Sequence, residues 1–253
     1  MEYDIQKAGI LRRISAGLFD AILLMVLICG IAWGVSAIID MDAKMEAMNA
    51  VYDRYEKEYG IDFTITEDAL ASKPEEEQQK YQEVIDTMNN DEQAIFAYTQ
   101  VINSFLLIAS ISVLISHLLL EFLVPLLLKN GQTLGKKVFS VALMRKDGVA
   151  VSPFAMFVRS ILGKCTIEVM TPVLVLVMLF LGTGGTFGPI VLLGLAVGQI
   201  ALLIFHPHNA VIHDLLACTI PVDLSSQLIF SSAEAKLEYE KQRAAEKAER
   251  AEY

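Results

Sequence analysis

The sequence predicts an all-α membrane protein. It reads as a four-transmembrane-helix bundle with an extracytoplasmic helical hairpin insert and a small cytoplasmic β-hairpin. Three observations carry this expectation. First, 54% of the 253 residues are hydrophobic and only 20% are charged, against about 45–50% and about 25% in ordinary soluble domains. Second, the charges are missing from long runs rather than thinned evenly along the chain. Third, the basic and acidic residues between those runs are segregated. The formal net charge of -10 argues against a nucleic-acid binder, which needs a basic face for phosphate.

Residues 1–39 form the cytoplasmic N-terminus and first span. Residues 21–39 hold nineteen consecutive uncharged positions, about 28 Å of helix and close to the ~30 Å hydrocarbon thickness. Val35-Ser36-Ala37 offers a cleavage-like site, but Glu2, Asp4 and Asp20 precede the apolar run and that run continues to Ile39. An uncleaved span is therefore expected. Residues 40–98 are the acidic extracytoplasmic insert, with sixteen acidic against five basic residues. Ser72-Lys-Pro-Glu75 reads as a helix start capped by Ser72. The helix from there is expected to run directly into the second span, with a matching helix over 40–59 and a closing segment over 60–72. No EF-hand spacing occurs in this insert.

Residues 99–128 form the second span, interrupted by His117 and Glu121. The loop 129–159 carries Lys129, Lys136, Lys137, Arg145, Lys146 and Arg159 against the single acid Asp147, which places it and both termini in the cytoplasm. Within it, VFSVALM, Asp147-Gly148 and VAV spell a β-hairpin. GQTLGKK lacks the spacing of a phosphate loop. Residues 169–205 run thirty-seven positions without a charge. Glycines and a proline over 182–189 divide them, giving spans over roughly 160–181 and 188–205. Residues 206–253 are a cytoplasmic interfacial segment and charged tail. In it, 208–222 reads as a short amphipathic or re-entrant piece ending near Pro221, and 233–253 as a solvated helix. The cysteines Cys29, Cys165 and Cys218 lie in or beside apolar stretches and form no disulfide framework or metal pair. His206, His208 and His213 lack a cysteine or carboxylate at ligand spacing, so no metal is expected. Trp33 reads as an interfacial anchor.

The ionisable residues in or beside the spans need explanation, because a charge at the bilayer centre costs about 2.5–3.5 kcal/mol on insertion scales. Arg13 and Asp20 share a face of the first helix. His117/Glu121 and Lys164/Glu168 are i,i+4 pairs able to satisfy each other. Asp214 is near enough to the membrane to meet Arg13, Lys136 or Arg159.

These blocks carry a resemblance. RxxAxxxD at 13–20, GQTLGKKVFSVALMRKDG at 131–148, Arg159 and HDLLACT at 213–219 resemble the RDD family of membrane proteins. That family is named for one arginine at the start of its first helix and two aspartates. Arg13, Asp20 and Asp214 match them. The chain departs from the pattern in its long acidic insert and in Cys218, where the resemblance leads one to expect glycine. The resemblance implies transport of unidentified ligands, with sodium/proton exchange associated with some members.

The expected function is accordingly that of a multi-pass protein of a bacterial plasma membrane, transporting a small ion or solute through intramembrane carboxylates. Exchange of a monovalent cation, Na⁺, for protons is its concrete form. Arg13, Asp20, Glu121, Lys136, Arg159, Glu168 and Asp214 form the ion-binding or structural charge network. The alternative is a non-transporting scaffold or accessory protein that binds partners through the acidic stalk and the tail. No GxSxG or HExxH motif or paired catalytic carboxylates are present, so neither an enzyme nor a cofactor is expected. Four spans are few for a monomeric exchanger, which favours a homo-oligomer or a membrane-protein partner.

Overall fold

The computed structural model describes residues 5–128, 130–180 and 182–251; Lys129 of the basic loop and Leu181 lie outside them. Four of its helices are long and apolar enough to cross a membrane. Helix α1 (Ile10–Ile39) is the first. It ends where Asp40 takes a left-handed conformation, φ 55°. Helix α2 (Met41–Tyr59) follows and closes on Gly60, also left-handed at φ 65°, the conformation glycine adopts without a Cβ penalty.

The insert differs from expectation at two points. Ser72 does not start a helix: it closes the short α3 (Glu67–Ala71), which Thr66 caps by accepting from the Ala69 N–H, and its hydroxyl donates to the Ala69 carbonyl at 2.7 Å. Helix α4 (Glu75–Met88) begins after Pro74. Nor does α4 run into the second span. Asn89 and Asn90 interrupt it, and Asp91 accepts from the Gln93 N–H at 2.8 Å, starting α5 (Glu92–Leu127) afresh. Asparagine and aspartate side chains compete with helical hydrogen bonds and favour such breaks. Asp91 also receives the Tyr55 hydroxyl at 3.0 Å and an Arg54 ion pair, tying α2 to the start of α5.

Beyond α5 lie α6 (Leu134–Val138) and β1 (Val141–Arg145). Then come α7 (Pro153–Phe180) and α8 (Phe187–Phe205), joined by a turn in which Gly182 and Gly185 have positive φ. The chain continues through α9 (Ile212–Leu216), β2 (Thr219–Asp223) and the charged α10 (Ala233–Ala251). Two compact units result: Cys29–Ser112, and the residues up to Ile28 together with those from Val113 onward. α1 and α5 pass through both.

The expected β-hairpin is corrected. The Asp147-Gly148 turn forms, with the Arg145 N–H donating to the Val149 carbonyl at 2.8 Å, but beyond it only an isolated Met144–Ala150 bridge follows. The true partner of β1 is β2, antiparallel, with Leu143 opposite Pro221. The segment read as a helix ending at Pro221 is therefore half strand. Proline is tolerated because this is a non-hydrogen-bonded pair: Leu143 donates away from β2, to Asn130, and the Pro221 carbonyl accepts from Ala8. Ala142, Met144, Ile220 and Val222 form the fully buried core of this layer. By contrast, Leu18, Ile22, Met25 and Val26 stay exposed along α1, an apolar surface suited to acyl chains.

Candidate functional site

The unit that holds β1 and β2 gathers charge where α1 begins, α5 ends and α7 begins. Asp214 is its centre. Its Oδ1 accepts from Arg159 Nε at 3.1 Å and Nη2 at 2.8 Å. Its Oδ2 accepts from Arg13 at 3.2 Å and from the Val211 N–H at 3.3 Å. One fully buried carboxylate thus holds two guanidiniums, which α1 and α7 supply. Burial alone would raise the Asp214 carboxyl, but Arg159, His213 and Arg13 outweigh it and hold the group well below the usual carboxylate range. Arg13 also donates to the Asn209 carbonyl. Lys136 is not among the partners of Asp214.

Arg13 and Asp20, expected on one face, serve different partners. Asp20 is buried, and its two oxygens accept from the Thr133 hydroxyl and from the Gly135 N–H at 2.7 Å. Thr133 caps α6, so the GQTLGKK motif is a cradle for Asp20. Glycine is required there: a Cβ on Gly135 would stand 2.3 Å from the Ala16 carbonyl and 2.9 Å from the Asp20 carboxylate.

The two i,i+4 pairs are also corrected. Glu121 pairs with Lys164, and Glu168 accepts from His213, with Nδ1 2.8 Å from both carboxylate oxygens. Each group is taken by a partner on another element, and His117 Nδ1 by the Val113 carbonyl, before its i,i+4 neighbour can claim it. Residues Leu118–Leu123 of α5 and Val158–Met170 of α7 are π-helical, a winding that brings residues five apart onto one face as well as those four apart. Arg159 and Lys164 then share a face. Ser160 of the same segment donates to the Glu121 carbonyl. Burial and the Arg159 charge push His213 down, and Asp214 and Glu168 oppose them.

Arg13, Asp20, Lys136, Arg159, Lys164 and His213 are among the side chains that line a cavity of about 220 Å³. Glu121, Glu168 and Asp214 each hold one or two of those cations or the imidazole. Three buried polar atoms have no hydrogen-bond partner among the described residues: Ser116 Oγ, His117 Nε2 and Glu121 Oε2. His117 Nδ1 is 2.9 Å from the Val113 carbonyl, so its proton belongs there and Nε2 presents a lone pair. Among the described residues no group of three His, Cys, Asp or Glu could hold a metal ion.

Sequence reasoning passed over Thr133, Gly135, Ser160 and Gly163. A Cβ on Gly163 would stand 2.7 Å from the His213 Cβ, so this glycine lets α9 approach α7 and brings Asp214 to Arg159. The only signal was the polar, glycine-containing GQTLG run itself.

No curated protein and no solved structure matches the chain. The family model described as the RDD family matches residues 7–218, a stretch holding the Arg13–Asp214 pair, the Asp20 cradle and the four spans. The chain belongs to the RDD family.

Proposed function

We propose that this multi-pass RDD protein transports a small ion in the plasma membrane, with both termini in the cytoplasm, and that it exchanges Na⁺ for protons at Glu121. The observation that carries this reading is the trio of fully buried polar atoms on α5 with no partner among the described residues: Ser116 Oγ, His117 Nε2 and Glu121 Oε2. A buried polar group left unpaired costs about 1–3 kcal/mol. Ionisable groups inside membrane segments are retained chiefly along ion and proton paths, and π-helical turns recur at functional sites.

One oxygen of Glu121 holds the Lys164 ammonium and the other is bare. Na⁺ would take the bare oxygen together with the Ser116 hydroxyl and displace Lys164, whose side chain is 22% exposed. A proton arriving at Glu121 would release the ion again, with His117 Nε2 as its neighbouring acceptor. Glu121 rather than Asp20 is the working acid in this reading, since both oxygens of Asp20 are already engaged. The basic residues between α5 and α7, Lys136, Lys137, Arg145 and Lys146, support the orientation. We assign the protein no enzymatic chemistry, and an oligomer in the bilayer, because four spans are few for one exchanger. The scaffold alternative would draw on the insert, where a cavity of about 350 Å³ lies among Met48, Tyr52, Met88 and Tyr98.

The test is Na⁺-driven proton flux into proteoliposomes holding a pH dye, for wild type, Glu121→Gln and Asp20→Asn, each first matched for reconstitution and elution volume. Flux in the wild type and none in Glu121→Gln is expected, with Asp20→Asn lowering yield instead. Flux no greater than in empty liposomes, or undiminished in Glu121→Gln, rejects the reading.

A further inference from the structure

The 220 Å³ cavity has a chemistry of its own, which goes beyond the exchange reading and does not depend on it. Its wall presents four cations, Arg13, Lys136, Arg159 and Lys164, and a single carboxylate, Asp20. That carboxylate is occupied by Thr133 and Gly135. Asp214 neutralises two guanidiniums with one charge, and Glu121 neutralises Lys164. Lys136 is left over. Its ammonium meets the Thr133 hydroxyl at 3.3 Å and has no carboxylate within 4 Å among the described residues. Half-buried cations without a counter-charge are costly, and basic pockets between membrane helices are the usual receptors for phosphate-bearing headgroups.

We infer that this cavity binds a phosphate-class oxyanion, from a lipid headgroup or from free phosphate, with Lys136 as its anchoring cation and the Arg13 and Arg159 guanidiniums as its floor. The guanidiniums keep N–H donors beyond those given to Asp214, in the planar fork suited to phosphate oxygens. The cavity lies at the end of the spans where headgroups sit, beside Asp20 near the start of α1 and Leu203 near the end of α8. The titration of Lys136 agrees. Burial pushes its ammonium down to about 8, Arg159 and Lys164 push the same way, and Glu121 and Asp20 oppose them. Lys136 therefore carries its charge below about pH 8 and loses it above, so anion retention falls as pH rises through that value.

The test uses the full chain purified in detergent, with two probes. Native mass spectrometry with added phosphatidylglycerol reads a lipid headgroup, and equilibrium dialysis with inorganic phosphate reads the free ion. The variants are Lys136→Gln and, as a control on the exposed neighbour, Lys137→Gln. One-to-one retention of either probe is expected, weakened roughly tenfold or more in Lys136→Gln, as befits a lost charge-assisted hydrogen bond, and unchanged in Lys137→Gln. The lipid arm alone identifies a headgroup site, and the dialysis arm alone a soluble anion. No retention of either probe, or equal loss in both variants, overturns the inference. Because the readout is binding rather than flux, failure here is separate from failure of exchange at Glu121.

Discussion

Asp214 shows how much one side chain can fix. Its two oxygens collect a guanidinium from α1 and another from α7, and its own helix has only five residues. A helix so short has no stability alone, so the ion pairs and the glycine contact at Gly163 hold it in place. The residue after its C-terminal turn is the weak point. Cys218 is left-handed, φ 52°, where a Cβ costs about 1–2 kcal/mol, and this is the position at which the family resemblance led one to expect glycine. The extra freedom of glycine in the unfolded chain returns part of that gain. Cys218→Gly is expected to stabilise the protein by roughly 0.5–1 kcal/mol, seen as a higher midpoint in thermal unfolding in detergent. A lower midpoint would mean the thiol has a packing role that outweighs the backbone strain.

At the scale of elements, the contact between α7 and α9 should be the one least tolerant of added volume. Gly163→Ala places a methyl 2.7 Å from the His213 Cβ and 2.8 Å from its Cα, neither of which is the far end of a flexible chain. A loss of about 1–3 kcal/mol is expected, read by the same thermal unfolding. Double substitution with Asp214→Asn should cost less than the two separate effects added, because both release α9. Full additivity would show that Gly163 does not position Asp214. The spans themselves were legible because an uncharged run of nineteen residues has few other uses. The β1–β2 pair was not. Five residues of β2 include a proline, and their partner lies some eighty positions upstream, whereas the nearby Asp147-Gly148 turn favours a local hairpin that goes no further than one bridge. The Glu121–Lys164 pair escaped for a different reason: i,i+4 spacing compares only residues of one helix, and nothing local links two side chains 43 positions apart. The Asp20 cradle was half legible. Asp20 was evident as a residue in need of a partner, and GQTLG stood out, but nothing local linked the two.

For the whole molecule, the division into two units separates the charge network from the acidic insert. Every residue placed in the exchange site or the anion cavity lies in the unit built from residues up to Ile28 and from Val113 onward, and α2, α3 and α4 lie in the other. The insert is closed on itself by Arg54 and Tyr55 of α2, which reach Asp91 at the start of α5. Its chain can therefore be shortened there. Replacing residues 57–88 by a short Gly/Ser linker removes α3 and α4 and preserves the Arg54–Asp91 closure. Flux and phosphate retention equal to wild type within about twofold are expected, since no residue of the exchange site or of the anion cavity lies in the removed segment. The scaffold alternative expects the reverse, with transport absent from both proteins and a partner that co-purifies with the wild type lost on deletion. A shortened protein that reconstitutes normally but carries no flux would place the insert in the transport cycle itself. The acidic helices would then serve to concentrate cations at the mouth of the path, and restoring charge on the linker with glutamates should restore the rate.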